Sequence, residues 1–161
     1  MANKTPESES LPAEIVPAGT ASPEIEIPFR RLVIKEVEAQ QKGAVSHIPI
    51  TEEQERVFST ETLWRAFWEK YRVSELPSVD FASNSVAAVF LGIRPSPGYS
   101  VEIRKITRDS SSGKITIHII EWLPDPKMGY AGVNVYPADL VIFPVQHGEV
   151  EFVRSKKVDT N

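Results

Sequence analysis

The sequence predicts an α+β fold, mostly antiparallel β sheet or sandwich, with one amphipathic helix packed on it. Two observations carry that expectation. In "STETLWRAFWEKYRV" (59–73), Trp64, Phe67, Trp68 and Tyr71 fall at i, i+3, i+4 and i+7, one aromatic stripe at helical spacing. Beyond Pro77, apolar runs of strand length alternate with clusters of Gly, Pro, Ser and Asp, the punctuation of a sheet structure. No internal repeat is visible, and 161 residues suit one domain plus a tail.

The elements follow in order. Residues 1–28 carry Pro6, Pro12, Pro17, Pro23 and Pro28 among Glu, Ser, Thr and Ala, without an aromatic. Prolines at that spacing prevent a helix and remove ladder donors. With so little apolar surface to bury, the segment reads as a disordered Pro/Glu/Ser-rich tether. The folded domain is expected over 29–155, with 156–161 a disordered tail. "RRLVIKEVE" (30–38) reads as a strand and 39–50 as a loop. The helix follows, with Ser59 or Thr60 as N-cap and Glu61 in its first turn. "SVAAVFLGI" (85–93) is apolar on both faces, as a central strand must be. "YSVEIRKI" (99–106) alternates, then changes parity, which places a bulge near Arg104. "DSSSG" (109–113) is a turn, and 114–122 a strand with Ile115, Ile117 and Ile119 on one face. Residues 123–137 form a long Pro/Gly loop with a short strand at 133–136. Residues 139–145 and 149–155 are expected to close a last hairpin across Gln146-His147-Gly148.

Charge narrows the function classes. The formal net charge is −4, and residues 1–28, with five Glu and one Lys, account for all of it. The remainder balances 17 acidic against 17 basic side chains, which argues against a phosphate-neutralising, nucleic-acid-binding surface. Cysteine is absent, so disulfides, thiolate nucleophiles and Cys-ligated zinc are excluded. His47, His118 and His147 lie far apart in sequence and form no paired His or Cys ligand motif. No Gly-x-Ser-x-Gly, phosphate-binding or dinucleotide-binding motif occurs. Asp80, between the helix and a buried strand, reads as a turn cap. The expectation is a non-enzymatic chain with no catalytic residues, no metal and no cofactor; a hydrolase of unknown type ranks last.

The segment "IRPSPGYS" (93–100) is the strongest candidate for recognition. Pro95 and Pro97 stiffen the connection between two strands. Gly98 would reverse the chain at positive φ, and Tyr99 would serve as apolar anchor or core plug. A stiff loop loses little entropy on binding. The expected contact residues are Arg94, Pro95, Ser96, Pro97, Gly98 and Tyr99, joined by Pro126, Lys127 and Met128.

The order of these motifs resembles a family. "ETLWRAFWEKY", then "LPSVDFASNSVAAVFLGIRPSPGYSVEI", then the loop of Pro124 and Pro126 and the Tyr136-Pro137 pair before "DLVIFP" are similar to the C-terminal domain of the PrcB-like proteins, over roughly residues 50–153. The departure is Pro97, where family loops often carry Gly. The resemblance implies a non-catalytic partner of a bacterial surface protease complex, located at the cell envelope or outside the cell. "MANKTPESES" then looks like a polar spacer with Met where a lipidated Cys would stand, so the membrane is met only through a lipid anchor absent from this chain. A cytoplasmic location is the alternative. The spacing Pro95-x-x-Gly98-Tyr99 also resembles the binding loop of chagasin-type inhibitors, which makes a direct protease inhibitor the alternative function.

Overall fold

The computed structural model describes residues 23–32, 45–46, 50–71 and 76–160. In chain order the elements are β1 (Glu24–Ile27), β2 (Arg30–Arg31), β3 (Val45–Ser46), β4 (Gln54–Phe58), α1 (Glu61–Tyr71), β5 (Asn84–Phe90), β6 (Ser100–Asp109), β7 (Ile115–Leu123), β8 (Tyr136–Pro144) and β9 (Val150–Val158). They form two sheets. One runs β1-β6-β7-β9; the other runs β2-β8-β5-β4, with β3 also on β8. The pairings are antiparallel except β7 with β9, which is parallel. The fold is thus α+β and rich in mostly antiparallel sheet.

The layers follow from side-chain parity. Val86, Ala88 and Phe90 of β5, with Ala138, Leu140 and Ile142 of β8, face α1 and pack on Trp64, Phe67 and Trp68. The alternate residues Ala87, Val89, Val141 and Phe143 face the other sheet and meet Ile27, Val101, Ile103, Ile106, Ile115, Ile117 and Ile119. Because β5 is covered on both sides, its run from Val86 to Phe90 had to be apolar on both faces. The aromatic stripe of α1 buries three rings, and Tyr71 packs partly buried at its end. Thr60 caps the helix: its Oγ1 accepts the Leu63 N–H at 3.2 Å. The parity change in β6 is a register irregularity between Ile103 and Lys105, where the bulge was expected.

Three expectations need correction. The terminal hairpin does not exist. β8 pairs with β5, and β9 crosses to the other sheet to run parallel to β7. A three-residue Gln-His-Gly link looked like a turn, but it connects two layers. The tether ends earlier than Pro28: residues 24–27 pair with β6, and Ile27 is buried in the core between the sheets. At the other end β9 extends to Val158, past the expected boundary at 155. Most of the expected strand at 30–38, and the disorder expected over 1–22, lie outside the described residues. β3 falls within the expected 39–50 loop.

Candidate functional site

Residues 91–99 do not join a hairpin. β5 and β6 lie in different sheets, so the segment carries the chain from one layer to the other. Its positive φ is at Gly92, at 74°, not at Gly98. Gly98 is glycine for a different reason. A Cβ there would stand 2.6 Å from Pro124 Cβ and 3.0 Å from the Tyr130 ring. The 93–99 and 124–135 loops therefore touch, and only a residue without a side chain fits between them.

A second tie joins the same loops. The Arg94 N–H donates to the Val135 carbonyl at 2.9 Å, and the Val135 N–H donates to the Arg94 carbonyl at 2.8 Å. Each loop is also locked internally. The Tyr99 N–H donates to the Ser96 carbonyl, and the Gly98 N–H to Ser96 Oγ, both at 3.3 Å. In the second loop Asp125 Oδ1 accepts the Lys127 N–H at 2.9 Å, and its carbonyl accepts the Met128 N–H at 3.0 Å. The first is the bond of an Asx turn and the second that of a β-turn.

The two groups of expected contact residues are thus brought together, with different roles within them. Pro95, Pro97, Pro126, Lys127 and Met128 are exposed, whereas Ser96 and Tyr99 are half-buried and Gly98 is buried. Around them the loops also expose Ile93, Tyr130 and Val133, which the sequence reading left out. Arg94 points the other way. Its Nη1 donates to the Leu91 carbonyl at 2.6 Å, and its Nη2 meets Glu121 at 3.2 Å and Glu53 at 3.8 Å. The side chain is an anchor under the loop and not part of its outer surface.

Arg94 enters a charged cluster at one end of the inter-sheet core. Arg154 of β9 pairs with Glu53, with Glu55 of β4 at 2.9 Å and with Glu121 of β7 at 3.5 Å. Burial opposes the charge on Arg154, but the hydrogen bonds it donates to Glu55 and Glu53 outweigh that and hold the guanidinium above its ordinary value. Glu121 is 2% exposed. A carboxylate so placed needs partners, and the two arginines supply them. Its position was legible: Glu121 continues the inward parity of Ile115, Ile117 and Ile119.

A parallel arrangement sits on β8 and the β6 bulge. Asp139 Oδ2 accepts the Ile103 N–H at 2.8 Å, and Arg31 donates to both Asp139 oxygens and to the Ile103 carbonyl. The backbone groups at the irregularity are thereby satisfied. Burial pushes the Asp139 carboxyl above its ordinary value, and the Arg31 charge works against that.

The remaining candidate groups lie elsewhere among the described residues. No group of three or more His, Asp and Glu there could hold a metal ion. Asp80 caps the turn before β5, its Oδ1 accepting the Ala82 N–H at 3.0 Å. A pocket of about 220 Å³ beside α1 is lined by Glu61, Trp64, Arg65, Leu76, Pro77, Ser78 and Val79 and shares no residue with the loops.

Residues 85–144 match the family model described as PrcB C-terminal. Over that stretch the chain is similar to the PrcB C-terminal family. The matched stretch runs from β5 through β8 and includes both loops, the sheet crossover and the β6 bulge. It is narrower than the resemblance read from sequence, leaving β4, α1 and β9 outside the PrcB-like segment. No curated protein and no solved structure matches the chain.

Proposed function

We propose that this chain is a non-enzymatic binding module that associates with a protease through the surface of its paired loops. One observation carries the reading. Two segments far apart in sequence are fastened to each other, and between them they expose Ile93, Pro95, Pro97, Pro126, Met128, Tyr130 and Val133. Large apolar side chains on a pre-ordered backbone suit a partner surface, because little entropy is lost on docking. The family match supports a protease as the partner class. The setting is the cell envelope or the cell exterior, a reading supported by the proline- and glutamate-rich stretch ahead of the fold.

The test uses two exposed positions, one per loop: Pro97→Arg and Met128→Arg. Each variant should melt as the wild type does and recover less protease from an envelope extract. Undiminished recovery with both would remove the loops from the interface. Assembly and inhibition separate in the same experiment. A binding partner alters protease yield without blocking its site, whereas an inhibitor acting through Pro95–Tyr99 titrates activity stoichiometrically.

A further inference from the structure

We propose that β9 is a dimerisation strand. Two copies of this chain pair their β9 strands antiparallel and join their four-stranded sheets across a two-fold axis. The inference is independent of the loop surface and of the protease reading.

β9 is the last strand of its sheet, and among the described residues only β7 pairs with it. At nine residues it is far longer than the other terminal strand of that sheet, β1, at four. A strand edge is a row of donors and acceptors able to pair with another chain. The phase of that row can be read from the ladder. The Ile115 N–H donates to the Glu149 carbonyl and the Asp159 N–H to the Leu123 carbonyl. Odd-numbered residues of this strand therefore bond toward β7. The backbone groups of Val150, Phe152, Arg154, Lys156 and Val158 point to the free edge.

The side chains commit the edge to a second copy. Acidic residues stand at one end, Glu149 and Glu151, and basic ones at the other, Lys156 and Lys157. Edge lysines ordinarily discourage indiscriminate pairing. Here the charge is polarised, so a parallel copy opposes like charges and an antiparallel copy opposes unlike ones. With Val153 on the axis, Glu149 faces the partner's Lys157, and Glu151 faces the partner's Ser155 with that same Lys157 on the diagonal. The hydrogen-bonded pairs become Val150 with the partner's Lys156 and Phe152 with the partner's Arg154, all residues with outward backbone groups. Val153, 42% exposed, meets its own copy. Such an interface is self-complementary, as a two-fold contact must be. Strand pairing alone buries less than a standard interface of about 1,600 Å², so the dimer is concentration-dependent.

Sedimentation equilibrium of the full chain tests this. The average mass of the wild type should climb toward twice the monomer mass as concentration rises. Lys156→Pro removes an outward N–H and none that bonds to β7, so it should keep the wild-type melting temperature and stay monomeric. Glu149→Lys alone and Lys157→Glu alone should each weaken self-association roughly tenfold. Mixing those two variants in equal amounts should restore it, because every acidic end then faces a basic one. A wild type that stays at the monomer mass, a Lys156→Pro chain that dimerises as the wild type does, or a mixture no tighter than its components would each overturn the proposal.

Discussion

Gly98 shows how a residue can be right for a reason the sequence does not display. Its neighbours Pro97 and Tyr99 suggested a reversal at positive φ, but the constraint comes from Pro124 and Tyr130, about thirty residues away. The expected cost of Gly98→Ala is therefore crowding, about 1–3 kcal/mol. Gly129, which has nothing within 4 Å of an added Cβ, is the control. Gly129→Ala should melt with the wild type and Gly98→Ala well below it; coincident melting curves would show that the loops part freely. His118 offers a second residue-scale test. Burial, then the Lys105 charge, lowers its pKa below the ordinary 6.5, and Glu24 opposes them. Its Nε2 lies 3.2 Å from Thr107 Oγ1. A folded pKa below the unfolded one means that the unfolded chain takes up the proton first. Stability from this group is present above about pH 6.5 and falls as pH drops through and below it. Denaturation midpoints followed from pH 7.5 to 5, a window of roughly one to two units about that value, should decline less steeply for His118→Gln than for the wild type.

At the scale of elements, periodicity was legible wherever one local rule decided the outcome. The helix announced itself because four aromatics share one stripe, and three of them are buried as that stripe requires. Trp68, 2% exposed, should cost about 3–5 kcal/mol on replacement by Ala. An unchanged urea midpoint for Trp68→Ala would dislodge α1 from the core. The β6 bulge was readable because one extra residue flips every later side chain to the other face. β4 went unassigned because "QERVF" carries only Val57 and Phe58 as apolar residues, one for each face of a sheet that is covered on both sides. β9 was readable as a strand but not as a partner for β7. Pairing is a tertiary choice, and closeness in sequence favoured β8. The contact between the two loops was hidden for the same reason: Arg94–Val135 and Gly98–Pro124 are long-range pairs without a local signature.

For the whole molecule, the three layers meet around β5 and β8, and the charged clusters of Glu121 and Asp139 tie the two sheets at fixed points in the core between them. The position of β1 then decides where the fold begins. Its four residues pair with Ile106–Asp109, and the Pro23 carbonyl accepts the Ser110 N–H at 3.1 Å. Ile27 is 6% exposed and packs among the residues of the inter-sheet core. A chain starting at Phe29 loses these contacts; one starting at Pro23 keeps them. Burial of Ile27 alone is worth about 1.5–3 kcal/mol, and its loss also bares the edge of ten-residue β6. An exposed edge of that length invites pairing between chains. The Phe29 start should therefore unfold at lower denaturant than the Pro23 start and aggregate on warming. Equal midpoints for the two truncations, by circular dichroism in urea, would return residues 24–27 to the tether. A lower midpoint with no aggregation would mean that β1 supplies core packing and that another feature protects the β6 edge.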